Sequence, residues 1–280
     1  MIIAEYIWIG INQILYSKTR VIDKSTATEN ITFNELPNWT FDGSSSEVII
    51  KPVFVCNDPF RTIPKRTCIL VLCDTWKNID EPHETNTRYY AKNIFAKYHE
   101  EKPLFGLEQE FFLCELNNNG RYITNIDEEY YCLNNHYQGR DCIEEAFNMC
   151  ITAGIKLSGM NSEVAPYQWK YQICDYGIST SDQLYLMRFI INKVVNKEGY
   201  KMNFHPKPHT DENGSGCHVN FSTETMRENN NEDTILNIIS KLEQHHNDDI
   251  MKYGENTIET SNFSYGKGDR TASIRIPNET

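Results

Sequence analysis

Nowhere does the sequence hold an apolar run approaching the ~20 residues that a membrane-spanning helix needs. It also lacks a basic leader. The first residues, MIIAEYIWIGINQ, place Glu5 where a secretory signal would be positive. No G-x-x-x-x-G-K-[ST] and no G-x-G-x-x-G occurs, so a nucleotide would have to be held by something other than a glycine-rich phosphate loop. Basic residues are scarce: 27 Lys and Arg stand against 39 Asp and Glu, for a net charge of −12. That argues against a nucleic-acid partner, which requires a basic face. The 9 cysteines contain no C-x-x-C pair, and an odd, dispersed set reads as free thiols in a reducing compartment. Together these absences point to a cytoplasmic protein with no membrane and no nucleic-acid partner. There is also no internal repeat.

What remains is an ordinary globular composition, 39% hydrophobic and 24% charged over 280 residues. Such a length buries roughly 75% of the surface of its unfolded chain. The first ~80 residues alternate short β-rich runs, AEYIWIGIN and CILVLCD, with the turn chemistry of LPNWTFDGSSS and NDPFRTIPK. Helical spacing begins after Glu84. ETNTRYYAKNIFAKYHEEK places Ile94, Phe95 and Tyr98 on one face. GRDCIEEAFNMCITAG has Asp141 as a cap, Ile143, Ala146, Phe147, Cys150 and Ile151 at helical spacing, and Gly154 as a stop. SDQLYLMRFIINKVVNKEG predicts a helix from Asp182 to Gly199, and DTILNIISKLEQHH a fourth. GLEQEFFLCEL, QWKYQI, GCHVNFS and TASIRIP read as strands between them. The triple-Asn stretches at Asn117 and Asn229 read as loop insertions. The reading is α+β, with a small β-rich domain ahead of a larger mixed one.

The densest chemistry is EQE. On a strand, residues two apart share a face, so Glu108 and Glu110 stand side by side. Two anions so placed repel unless a cation lies between them. Either they share a divalent ion or they are solvated on an edge. NGSGCHVNFS offers Asn213, Gly214 and Gly216 for close backbone approach, then His218 and Asn220 on one strand face. His218 is a metal or phosphate partner, or an ordinary core histidine. RTASIRIP presents Arg275 to an anion or to a surface ion pair. NSEVAPYQWKYQI sets Glu163 ahead of a strand with Gln168, Lys170 and Gln172 on one face and Trp169, Tyr171 and Ile173 on the other. Asp42 sits in a tight turn and Glu259 in a loop, each with a plain structural explanation.

Taken in order, YIWIG, LPNWTFDGSSS, NDPFR, PHETNTR, FGLEQEF, YYC, GRDCIEEAFNMCITAGIKLSGMNSEVAPYQW, GIS, NGSGCHVNFST, MRE, ETSNFS and RTASIRIP resemble glutamine synthetase of the eukaryotic type from Tyr6 to Pro277. The resemblance implies a β-grasp domain over 1–85 and a catalytic domain over 86–280 built on an antiparallel sheet with helices. It implies ATP-dependent joining of ammonia to glutamate through γ-glutamyl phosphate, with Mg²⁺ or Mn²⁺, in stacked rings whose active sites lie between subunits. Glu108, Glu110, Glu163 and His218 match metal ligands, with Glu108 also bordering ATP and Glu163 the glutamate. Asp42 matches the acid that an adjacent subunit extends toward ammonium, and Glu259 the loop acid that closes the site. Asn213 and Gly214 match the glutamate-binding loop, Arg270 and Arg275 the arginines facing phosphate and substrate, and Ser222 and Arg227 the nucleotide region.

Departures from the family pattern bear on activity. Lys170 stands where the family has a metal-ligand Glu. MKYGENTIETSN lacks the Arg that holds the glutamate carboxylate, and Leu104 replaces a Trp. Relative to the family the chain stops early, at Thr280, before a further ligand Glu, an Arg and terminal helices, and it starts late. Lys170 is therefore expected to replace a metal in part, pairing with Glu110 or Glu163. Three readings follow: a working ligase in a homo-oligomeric ring, an impaired homologue serving as a binding or structural subunit in a mixed ring, or a ligase for another amine.

Overall fold

The computed structural model describes residues 1–10, 14–23, 31–43, 46–115, 139–208, 214–228, 232–253 and 262–278. The N-terminal strands β1 (Ile2–Ile9), β2 (Leu15–Ile22), β3 (Trp39–Asp42), β4 (Glu47–Asn57) and β5 (Thr67–Trp76) form one sheet in the order β2-β1-β5-β4-β3. Only β1 and β5 run parallel. β1 is buried along its length because its two faces meet different cores. Ile2, Ala4, Tyr6 and Trp8 join Ile50, Ile69 and Val71 on one side, while Ile7 joins Leu70 and Leu72 on the other. The buried Glu5 is tolerated there because Arg61 (2.6 Å), Lys193 (3.0 Å) and the Ser17 hydroxyl (3.0 Å) surround its carboxylate.

Helix α1 (Thr87–Lys97) follows, capped by Asn86, whose side chain accepts from the Tyr89 amide. The expected Ile94 and Tyr98 face is not a buried stripe: both are exposed, and α1 buries no residue fully. It is anchored instead by Arg88, which grips Asp182, and by Phe95, which meets Phe105 edge-on at 5.5 Å.

The second sheet comprises β6 (Leu104–Glu115), β7 (Leu157–Ser162), β8 (Gln168–Tyr176), β9 (Tyr200–Asn203) and β10 (Cys217–Ser222). Its order is β10-β6-β8-β7, with β9 pairing the far end of β6, and every pairing is antiparallel. Helices α2 (Arg140–Ala153) and α3 (Ser179–Lys197) cover one face. Phe111, Leu113, Trp169, Tyr171 and Ile173 pack there on Ile143, Ala146, Leu186, Met187 and Ile190. The same core takes in Ile7, Leu70 and Leu72 from the first sheet. Strand alternation therefore turns Glu108, Glu110, Lys170 and Gln172 to the face away from the helices.

Two helix starts differ from the sequence expectation. α2 is capped by Gly139 in the left-handed region (φ 79°), and Asp141 lies in its first turn. α3 begins at Ser179, which puts Asp182 inside the helix and buried against Arg88. Gly154 does end α2, with φ 88° and no atom within 4 Å of where a Cβ would stand. Gly154→Ala is thus expected to cost about 1–2 kcal/mol from backbone conformation alone, measurable by urea denaturation.

Helices α4 (Glu224–Arg227) and α5 (Glu232–Ile250) follow the second sheet. β11 (Tyr265–Lys267) and β12 (Ile274–Ile276) form a separate parallel ribbon. Among the described residues no helix is long and apolar enough to cross a membrane.

Candidate active site

The site is built by register. Across the second sheet one rank reads His218, Glu108, Gln172, Gly159, and the next reads Glu110, Lys170, Asn161. In the second rank Gly216, just ahead of β10, bonds Glu110: its carbonyl accepts the Glu110 amide and its N–H donates to Glu110 Oε2 at 3.1 Å. Four segments thus bring their polar side chains to one patch. Glycine at 159 leaves room that the neighbouring strand uses: a Cβ there would lie 2.9 Å from Gln172 Oε1.

Lys170 lies at the centre. Its Nζ is 2.9 Å from Glu163, 3.1 Å from Glu110 and 3.4 Å from Glu108. Neutral donors take further positions. Asn220 donates to Glu108 Oε1 at 2.7 Å, and Asn161 donates to Glu163 Oε1 at 3.0 Å. His218 stands 3.6 Å from Glu108 and 3.8 Å from Glu110. Glu163 is 1% exposed and Glu110 5%, so these charges sit in a region that water screens poorly. The pairing with His218, joined by Asn220 and Lys170, outweighs burial and draws the Glu108 carboxyl down to about 2. Glu108 in turn raises the His218 pKa. Burial opposes the Lys170 charge, but the bonds and fields of Glu163 and Glu110 prevail and lift its pKa above the ordinary lysine value.

Behind the patch, Gln109 points into the core, 4% exposed. Its amide donates to the carbonyls of Glu110 (2.6 Å) and Gly216 (3.3 Å), and its oxygen accepts from Arg188 of α3. This clamp holds the β6–β10 junction, and with it the directions of Glu108 and Glu110. Sequence reasoning missed it. The signal was present in the polar middle residue of EQE, which period two sends into an apolar face.

The other expected site residues are dispersed. Gly214 lies beside the patch, its carbonyl accepting from Gln168 Nε2 at 2.8 Å. Ser222 and Arg227 are brought together: the guanidinium donates to the Ser222 carbonyl and hydroxyl, both at 2.9 Å, and to the Lys102 carbonyl at 2.8 Å. Asp42 ends β3 in the other sheet, opposite Glu47. Arg275 is on β12 and Arg270 precedes it, both on the separate ribbon. Asn213 and Glu259 lie outside the described residues, as do the triple-Asn stretches and YYC.

Fold and site together define a class: an α+β protein that would do its chemistry with acidic side chains on the open face of an antiparallel sheet. Comparisons agree. Residues 84–246 match the family described as glutamine synthetase, catalytic domain. The glutamine synthetase of Agaricus bisporus is 38% identical, over 98% of this chain and 83% of its own length. That of Neurospora crassa is 39% identical over 99% and 83%. The glutamine synthetase root isozyme 3 of Zea mays is 37% identical over 100% and 85%. The chain belongs to the glutamine synthetase family.

That family uses ATP and divalent cations. Divalent cations take carboxylate oxygens at ~2.0–2.6 Å. Here an ammonium already takes an oxygen from each of three carboxylates. No three His, Cys, Asp or Glu side chains among the described residues are arranged to hold a metal ion. The space between Glu110 and Glu163 therefore does not suit a divalent cation while Lys170 is present.

Proposed function

We propose that this chain is an ATP-dependent ligase that joins ammonia to glutamate through γ-glutamyl phosphate. The convergence of Glu108, Glu110, Glu163 and His218 on one open sheet face carries the reading, because phosphoryl transfer needs positioning and charge management more than covalent chemistry. In this proposal Gly214 and Asn213 hold glutamate beside Glu163. Ser222 and Arg227 border ATP beyond Glu108, and Mg²⁺ or Mn²⁺ accompanies the nucleotide. Arg270 and Arg275 face the phosphate and substrate. Glu259 closes the site, and Asp42 reaches ammonium from the next subunit of a homo-oligomeric ring in the cytoplasm. The place of Asp42 at the end of a strand of the other sheet supports a site shared between subunits. The proposal includes the division into a β-grasp domain, 1–85, and a catalytic domain, 86–280.

ADP release tests it. With ATP and Mg²⁺, release is expected only when glutamate and ammonium are both present, at a rate lowered by roughly 10²–10³, the usual effect of losing one transition-state contact. No release, with nucleotide uptake intact, overturns the ligase reading. The ammonium at the centre of the patch favours one second reading, an impaired homologue that serves as a binding or structural subunit in a mixed ring. An amine panel in the same assay exposes a ligase for another amine.

A further inference from the structure

The Lys170 ammonium matches its surroundings donor for acceptor. An ammonium has three N–H groups and no acceptor. Three carboxylates stand at 2.9, 3.1 and 3.4 Å, two of them from β6 and one from the turn after β7. The side chain is 12% exposed, so this is not a mobile surface pair. Its neighbours on β7 and β8 are neutral: Asn161 lies across from it on β7, and Gln168 and Gln172 flank it on β8. Within this cluster the cations facing the carboxylates are thus Lys170 and, from the β10 side, His218.

We infer that Lys170 is a built-in cation that takes the place of one divalent ion between Glu110 and Glu163, so that the site is assembled without that metal and takes one fewer. Charge supports the substitution. Exchanging a glutamate for a lysine at this position changes −1 to +1, a difference of +2, the charge of one Mg²⁺. Geometry supports it as well. A divalent ion placed there would compete for oxygens that Nζ already engages, and two cations in that space would repel each other. The inference rests on the proposed function only for which site this is; Lys170 is a positioning residue in it, and its contacts hold whether or not ligation occurs.

The test counts metal. The native chain and Lys170→Glu are titrated with Mn²⁺, with free Mn²⁺ followed by electron paramagnetic resonance and folding checked by circular dichroism. Lys170→Glu is expected to bind one more Mn²⁺ per chain. Crystals of the native protein soaked in Mn²⁺ are expected to show no anomalous peak between Glu110 and Glu163. A folded Lys170→Glu chain that binds no more Mn²⁺ than the native chain overturns the inference, as does an anomalous peak at that position in the native protein. If the variant does not fold, the native crystals decide alone. Failure of the ligase reading would appear separately, as absent ADP release, and would leave the Mn²⁺ count unchanged.

Discussion

Lys170→Met is expected to lower the free energy of unfolding by about 3–5 kcal/mol, the usual loss when one partner of a buried ion cluster is removed. Methionine fills much of the same volume, so lost packing does not explain the effect. What changes is that Glu110 and Glu163, both almost wholly buried, lose the cation within 3.1 Å of each. Neutral donors remain, from Asn161 and the Gly216 amide, but they do not balance two adjacent negative charges. Equilibrium urea denaturation of the two proteins at neutral pH, without added metal, measures the difference. A loss under 1 kcal/mol would mean that water or relaxation of β8 screens the carboxylates. Far-ultraviolet circular dichroism separates a local effect from failure to fold.

The second large effect lies at the other buried cation. Arg88 donates to both oxygens of Asp182, at 2.6 and 2.7 Å, and stands 3.7 Å from Asp74. It ties α1 to α3 and β5 where α1 has no buried apolar stripe to do so. Burial raises the Asp74 carboxyl to about 6, with Arg88 opposing the rise and Asp182 adding to it; burial raises Asp182 too. A carboxyl raised in the folded state binds its proton more tightly there than in the unfolded chain. It therefore favours folding at low pH and subtracts stability as pH rises from its ordinary value near 3.8 through about 6. Arg88→Met removes the cation that limits this penalty. The expected loss is about 3–5 kcal/mol at pH 8 and distinctly less at pH 5, where Asp74 is largely protonated. Urea denaturation at the two pH values decides it. A loss equal at both would show that packing of the arginine stem, rather than charge, is what the fold uses.

Much of the architecture was legible where a local pattern is strong. QWKYQI alternates, and its odd residues Trp169, Tyr171 and Ile173 are buried as that alternation requires. The run from Cys142 to Cys150 has helical spacing, and Gly154 stops it. The misreadings come where local rules permit two answers. An aspartate after a glycine at the head of α2 reads as a cap, yet the glycine, free to adopt positive φ, takes that position. The apolar residues of α1 are spaced for burial, yet Ile94 and Tyr98 face outward, because Arg88, in the first turn of the helix, sets its orientation through Asp182.

The candidate site divides in the same way. Period two by itself makes Glu108 and Glu110 neighbours, puts Lys170 on the polar side of its strand, and sets His218 beside Asn220. Nothing local says which carboxylates the ammonium meets. That was decided by the pairing of β6 with β8, which sets Glu110 opposite Lys170, and by the turn after β7, which swings Glu163 onto the same patch. It was decided too by Arg188, which reaches from α3 to Gln109 on the far side of the sheet. Side-chain alternation is a property of a single strand. Strand register and the gathering of like charges around one cation depend on long-range pairing, and only the folded chain establishes that.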